Sequence, residues 1–338
     1  MTNYPVDLVY LWCNDSDPAF REKKARLLER HNKEFSHDSI ADIRFKDSNE
    51  LLFSLRSVWK NLPWINHIYI ITDNQTPTWM KKHPLVTIVD HKEIIPNHLL
   101  PTFNSNVIET YIDKIPNLSE HFIYLNDDMI ILEKLNVSDF FDSNGIPIVR
   151  LTKAKRHVTH GDVEKQLASS NKSFLSTLQI AWLLFCEKNQ REIPFDTFSH
   201  SCDSYTKSIW KKCMIKYPEI YKHNTSTFRS YDEIQRLILS YEMVYCFGSK
   251  KVYIRTPNFL NRVLRLFKTR KIWVSCRQSV RKIIRDIKFC HPQTVCVNAV
   301  DNDKLFNIYF NSVFPSAAPW EREYEVLITN AENSKPRT

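Results

Sequence analysis

The chain has 338 residues, a formal net charge of +9 and only 3 glycines. Gly145, Gly161 and Gly248 lie too far apart for G-x-G-x-x-G or G-x-x-x-x-G-K-[ST], which excludes a Rossmann fingerprint and a P-loop, so that bound phosphate must be held mainly by side chains or a metal. With 43% apolar residues, 20 Phe, 14 Tyr and 8 Trp the chain is no disordered segment, and its length suits about two domains or one with large insertions.

Residues 6–12 form a short β-rich run closed by Asn14-Asp15-Ser16-Asp17-Pro18, and Pro18 opens a charged helix to about residue 34. Asp47 or Ser48 is placed to cap a second helix whose apolar positions Leu51, Leu52, Leu55, Val58, Trp59 and Leu62 follow the 3.6-residue period. Residues 67–72 and 85–90 read as buried strands, 105–115 as a helix, and 122–125 as a strand running into Asn126-Asp127-Asp128. Strands alternating with helices predict a mostly parallel α/β sheet. Beyond Gly145 the pattern turns helical, over roughly 174–186, 203–216 and 231–246; residues 295–314 read as a short strand, an acidic turn and a helix.

In such sheets ligands bind beyond the carboxyl ends of the strands, and polar clusters fall there: Trp12, Asn14 and Asp17, then Thr72-Asp73-Asn74, Asp90-His91, and Asn126-Asp127-Asp128. Adjacent Asp127 and Asp128 between apolar flanks are costly to bury unless paired or metal-bound. Mg²⁺ or Mn²⁺ takes such hard oxygen ligands together with substrate phosphates; the alternative is a tight turn between two hairpin strands. Arg44, Asp47, Glu50 and Arg56 form a second cluster, readable also as helix capping with a solvated ion pair. His200 and Arg229 each precede a helical stretch in aromatic company, where a packed residue is the plainer reading. His157 and His160 form H-x-x-H with no third ligand nearby, as in a surface loop.

The eight cysteines form no C-x-x-C and suggest reduced thiols in the cytosol; the first residues show no signal peptide, and the longest uncharged stretch, 173–186, is too short to span a bilayer and reads as a buried helix. The charge excess is local. Residues 258–291 hold ten basic groups against Asp286 alone, and the rest of the chain is neutral. At 100° per residue Trp273, Cys276, Val280, Ile283, Ile284 and Ile287 share a stripe flanked by Arg277, Arg281, Arg285 and Lys288. This predicts one amphipathic helix, either packed on the core with a solvated basic face or lying on anionic lipid. With only Trp273 and three Phe among these residues and no known module, no nucleic-acid partner is expected.

Together the clusters resemble the Stealth family, which comprises bacterial capsular-polysaccharide phosphotransferases and the catalytic subunit of the animal GlcNAc-1-phosphotransferase. Four regions carry the likeness: V-D-L-V-Y-L-W-C-N-D-S-D-P from Val6; a long region from Arg44 to about Leu132 that includes R-F-K-D-S-N-E-L-L-F-S-L-R-S-V, P-W-I-N-H-I-Y-I-I-T-D-N-Q, L-P-T-F-N-S-N-V-I-E and L-S-E-H-F-I-Y-L-N-D-D; His200 through Tyr217-Pro218 to Phe228-Arg229-Ser230; and Val295-Cys296-Val297-Asn298 with Phe314-Pro315 and Pro319-Trp320-Glu321. Cys13 and Asp15 replace the usual Val and Gly, and Ala299 stands where the family usually has Asp, with Asp301 or Asp303 as substitutes if that Asp assists a metal.

The resemblance implies a nucleotide-sugar transferase sheet (GT-A-like) with a helical second part. Residues 1–150 would be the nucleotide-sugar-binding part, 151–257 a mainly helical catalytic and acceptor part, 258–291 the basic insertion, and 292–338 a motif returning to the active site. It implies transfer of a sugar 1-phosphate from a UDP-sugar donor to a glycan or polysaccharide hydroxyl, releasing UMP and making phosphodiester-linked capsular or cell-surface polysaccharide. Mg²⁺ or Mn²⁺ would sit on Asp127 and Asp128, with Arg229 and Arg56 neutralising the diphosphate and His200 as general base. Trp12, Asn14 and Asp17 would hold the nucleotide; Arg44, Asp47, Glu50, Asn104, Ser105, Glu109, Asn126 and Asn298 join the substrate-binding set by motif membership. The expected place is the cytoplasm, peripheral at the inner face of a bacterial plasma membrane through 258–291. Two other readings stand beside it: an inverting glycosyltransferase that releases UDP, and a non-catalytic membrane assembly module, toward which Ala299 points.

Overall fold

The computed structural model describes residues 4–30, 35–154, 158–168, 172–198, 201–254, 273–277, 279–297 and 300–322, with backbone alone at 38 and 273–277. His157, His200, Asn298 and Ala299 lie outside the described residues. The strands are β1 (Val6–Leu11), β2 (His67–Thr72), β3 (Val86–Asp90), β4 (His121–Asn126), β5 (Met129–Ile131), β6 (Val149–Leu151), β7 (Asp203–Thr206), β8 (Lys251–Tyr253), β9 (Trp273–Arg277) and β10 (Thr294–Val297).

The main sheet has the order β3-β2-β1-β4-β7. Its first four strands are parallel and β7 runs antiparallel to β4. Because side chains alternate along a strand, Leu8, Tyr10, Ile68, Ile70, Ile123 and Leu125 face one layer, where they meet Leu51, Leu55 and Val58 of the helix Glu50–Asn61. Val9, Tyr69, Ile71, Phe122 and Tyr124 face the other layer, built from the helices Phe174–Asn189, Lys207–Lys216 and Leu237–Tyr245. The fold is therefore α/β with a mostly parallel sheet, and the helical second part is the layer that covers one of its faces. All four parallel strands end on one edge, at Trp12, Asp73, His91 and Asp127.

A small second sheet, β5-β10-β9, hangs from the end of β4. Its β10 is antiparallel to β5 and parallel to β9. The chain between β9 and β10 is the helix Val280–Cys290, so this unit is a parallel crossover. Val280, Ile283 and Cys290 are buried against Val295, Val297, Phe306, Phe310 and Phe53, with Ile284 and Ile287 packed on the same cluster. The single helix expected from residue 273 is thus corrected: Trp273–Arg277 is a strand, which β-branched and aromatic residues favour, and the helix begins at Val280. Its apolar stripe is consumed by the core, while Arg281, Lys282, Arg285 and Lys288 are exposed.

Three other boundaries move. Asp203–Thr206, expected to open a helix, pairs as a strand with His121–Tyr124, and the helix starts at Lys207. The last of the expected helices is shortened to Leu237–Tyr245, because the chain before it is committed to polar contacts: Ile234 N donates to Asn224 Oδ1 at 2.9 Å, and Ser230 N donates to Glu233 Oε1 at 3.0 Å. Ser105–Thr110 is helical, then tightens into a 3₁₀ turn over Ile112–Lys114. The uncharged stretch is the buried helix Phe174–Asn189, and no described helix is long and apolar enough to cross a membrane.

Candidate active site

A cleft of about 430 Å³ opens at the carboxyl edge of the sheet. From β1 and the loop after it come Leu11, Trp12 and Cys13; Ile71 comes from β2, His91 follows β3, and Asn126, Asp127 and Asp128 follow β4. Arg44, Thr102, Phe103, Ser105 and Arg229 line it from the covering loops. Of the expected site residues the structure thus brings Trp12, Arg44, Ser105, Asn126, Asp127, Asp128 and Arg229 to one cleft.

Asp127 and Asp128 are not a hairpin turn. After β4 the chain leaves the main sheet, and β5 pairs with β10 instead of folding back on β4. None of Asn126, Asp127 and Asp128 has a positive φ, so no left-handed turn geometry calls for these residues. The C-terminal motif arrives here through β10: Val297 N donates to the Asp128 carbonyl at 2.9 Å, and the Cys296 thiol lies 3.1 Å from Asp128 Oδ2.

Topology adds two more carboxylates. Since β1 and β4 are neighbours, the segment that leads from β1 through the helix Pro18–Arg30 to the helix Glu50–Asn61 brings Asp47 and Glu50 beside the pair. Burial, then Asp128, Glu50 and Asp47, hold the Asp127 carboxyl well above the usual carboxylate range. Burial and Asp47 push Glu50 up to about 8, and burial also raises Asp47, beside which Trp12 stands. Burial, then Asp127, Asp47 and Asp15, raise the Cys13 thiol, which is therefore an unreactive neighbour. Two guanidiniums line the same cleft, near enough to each other that burial and then Arg44 lower Arg229. Ser105 Oγ accepts from Arg229 at 2.8 Å. Asn104, which caps the helix Ser105–Thr110 by accepting from Asn106 N, donates to the carbonyls of Ser226 and Phe228 at 3.0 and 3.3 Å, while Phe103 stacks on Phe228 at 5.2 Å. These contacts fix the loop that carries Arg229.

Among the described residues no group of three or more His, Cys, Asp or Glu side chains is arranged to hold a metal ion. The donor chemistry at Asp127 and Asp128 fits a hard divalent cation only as a shared site, with two carboxylates on one side and substrate phosphate oxygens on the other, as Mg²⁺ commonly binds.

Other expected site residues are placed elsewhere. Arg56 is turned away from the cleft and buried against Glu321, with Nε–Oε1 at 2.8 Å and Nη2–Oε2 at 2.7 Å; it also donates to Asn311 Oδ1 and the Phe314 carbonyl. Its position six residues after Glu50 puts it on another side of the helix. Asn14 and Asp17 brace a loop: Gln75 Nε2 donates to the Asn14 carbonyl at 2.8 Å and to Asp17 Oδ2 at 3.1 Å, and Gln75 Oε1 accepts from Asn14 N at 3.0 Å. Glu109 sits behind the cleft wall, where its carboxylate meets the Tyr124 hydroxyl at 2.9 Å and Arg236 Nε at 3.2 Å. Gln75, Glu233 and Arg236 were not singled out in the sequence; Gln75 stands within the quoted T-D-N-Q, and the other two carry no local signal.

Residues 4–32 match Stealth protein CR1, conserved region 1, and residues 44–149 match Stealth protein CR2, conserved region 2. Residues 4–32 and 44–149 are thus Stealth conserved regions, and together they span less than half of the chain. These Stealth regions supply Trp12, Arg44, Ser105 and Asp127–Asp128 of the cleft. A capsular polysaccharide phosphotransferase of Haemophilus influenzae is 45% identical over 152 residues, 45% of this chain and 42% of that protein. One from Neisseria meningitidis is 42% identical over 176 residues, 50% of this chain and 47% of that protein. An exopolysaccharide phosphotransferase of Streptomyces coelicolor is 41% identical over 145 residues, 42% of this chain and 24% of that protein. The match spans less than half the length of each of these relatives. Among solved structures, the galactosyltransferase LgtC with donor and acceptor sugar analogs overlays with a TM-score of 0.37 at 9% identity, covering 93% of this chain and 98% of that one.

Proposed function

We propose that this chain is a sugar-1-phosphate transferase that joins a sugar through a phosphodiester to a hydroxyl of a capsular or other cell-surface glycan. The observation that carries the reading is the presence, in one cleft at the sheet's carboxyl edge, of both the Asp127–Asp128 acids and the Arg44 and Arg229 guanidiniums. It is supported by the Stealth regions and by relatives whose names say capsular polysaccharide phosphotransferase.

In this reading the donor is a UDP-sugar whose diphosphate lies between the two poles. The acceptor oxygen attacks the β-phosphorus, the bond from that phosphorus to the bridging oxygen breaks, and UMP leaves with the electron pair. Arg229, fixed by Ser105 and by the loop that Asn104 pins, and Arg44 compensate the charge on the phosphate oxygens. A Mg²⁺ or Mn²⁺ ion held by Asp127 and Asp128 would neutralise the same oxygens. His200 is the proposed acceptor of the hydroxyl proton, and Asn298 a proposed substrate contact; both lie outside the described residues. Trp12 offers an aromatic wall to the nucleotide.

The exposed Arg281, Lys282, Arg285 and Lys288 are proposed as the contact with an anionic membrane surface. With the apolar stripe buried in the core, this contact would be electrostatic and without insertion. The test of the reaction is the nucleotide released when the protein is incubated with a UDP-sugar and an oligosaccharide acceptor. UMP supports the proposal; UDP turns it into a glycosyltransferase, and release of neither rejects both.

A further inference from the structure

His91 lines the cleft, yet the reading above gives it no task. It follows β3 as the first residue of a one-turn helix, and a capping box fixes its backbone: Asp90 Oδ1 accepts from Lys92 N at 2.9 Å, and Glu93 Oε1 accepts from Asp90 N at 2.8 Å. The residue is 5% exposed. Its Nδ1 is buried without a hydrogen-bond partner, which leaves Nε2 as the ring nitrogen open to the cleft. Three charged groups stand around the ring: Asp73, ion-paired to Lys23 at 2.6 Å, Asp90, and Lys23 itself. Burial outweighs the two carboxylates and takes His91 down to about 4, so the imidazole is neutral near pH 7 and Nε2 meets a ligand as donor or as acceptor according to the tautomer.

The strand order supplies the distance. In β3-β2-β1-β4 three strand intervals separate the end that carries His91 from the end that carries Asp127, roughly 14 Å at about 4.8 Å per interval. Between them lie the ends of β2 and β1 with Ile71, Leu11 and Trp12, apolar and flat, and Phe103 covers the same cleft. A nucleoside diphosphate laid across these ends, with its phosphates at the Asp–Arg poles, reaches His91 with its base.

We propose that His91 is a specificity residue that hydrogen-bonds the edge of the donor nucleobase through Nε2 of its imidazole, with Leu11 and Phe103 against the base faces. The inference rests on the nucleotide-sugar reading above, and the test separates the two. UMP and inorganic pyrophosphate are titrated, with Mg²⁺ present, into the wild-type chain, His91→Phe and His91→Gln, each shown by its melting curve to be folded. The expected result is that wild type binds both probes, His91→Phe binds UMP about tenfold more weakly, His91→Gln loses less because its amide restores a donor and an acceptor, and pyrophosphate binding is the same in all three. Equal UMP affinity in all three proteins, or pyrophosphate weakened as much as UMP, overturns the role of His91 and leaves the nucleotide reading standing. Failure of the wild-type chain to bind UMP overturns that reading and this inference with it.

Discussion

Replacing Glu321 by Gln, or Arg56 by Met, decides between the substrate role that the motif suggests for Arg56 and the structural one its placement gives it. The pair is buried, with side-chain exposures of 6% for Arg56 and 1% for Glu321, and is bidentate at 2.8 and 2.7 Å. Glu321 Oε1 also accepts from Ala318 N at 2.7 Å, so the ion pair ties the helix Glu50–Asn61 to the segment around Trp320. Removing one partner leaves the other charged in a dry site, which costs about 3–5 kcal/mol. For 338 residues at about 2.1 cal/mol/K each, the unfolding entropy is about 0.7 kcal/mol/K, so either single variant should lower Tm by about 4–7 °C. The double variant Arg56→Met, Glu321→Leu should recover most of that loss, because no charge is stranded. Calorimetry gives the Tm values, and turnover is measured well below all of them. A single variant with unchanged Tm and abolished turnover would refute the structural assignment and return Arg56 to the substrate.

Three other expectations concern the cleft and the basic helix. Glu50 is protonated in the folded chain up to about 8, whereas an unfolded glutamate ionises near 4.5, so the native state binds the extra proton and stability falls as pH rises between these values, by up to about 5 kcal/mol. Urea unfolding of the metal-free protein at pH 5.5 and 8.5 should show the fall, and Glu50→Gln should reduce it; an equally steep fall in the variant would clear Glu50. Asp128→Asn keeps an acceptor for the Cys296 thiol and removes a charge beside Asp127, so it should fold normally and lose turnover; near-normal turnover would remove Asp128 from the site. Changing Arg281, Arg285 and Lys288 to Gln should weaken binding to phosphatidylserine vesicles by about 1 kcal/mol per residue, as should high salt. Salt-resistant binding would mean apolar insertion, through Phe289 that this helix exposes, and would overturn the electrostatic contact.

What the chain discloses before it folds depends on how local the determinant is. β1, β2 and β4 and the helix Glu50–Asn61 are legible because apolar runs and a 3.6-residue period are properties of a few neighbouring residues. Asp203–Thr206 is not, since it becomes a strand by pairing with His121–Tyr124, far away in the chain, and Trp273–Arg277 is masked by an apolar spacing that also suits a helix. The same holds at the site. Asp127 and Asp128 announce themselves as adjacent acids at a strand end, but their company with Asp47 and Glu50 follows from β1 and β4 being neighbours. Motif membership mixes residues that face the cleft with residues that hold its loops: Asn14 and Asp17 answer to Gln75, and Asn104 to Glu233. His91 is visible only as a strand-end residue, and its burial is a property of the assembled cleft.

Attack on the β-phosphorus is decided by a UDP-sugar labelled with ³²P at the β position. After incubation with the protein and a glycan acceptor, the label should appear in the glycan product and the released nucleotide should be unlabelled UMP. Label that stays in a released UDP while the sugar moves to the acceptor would contradict it.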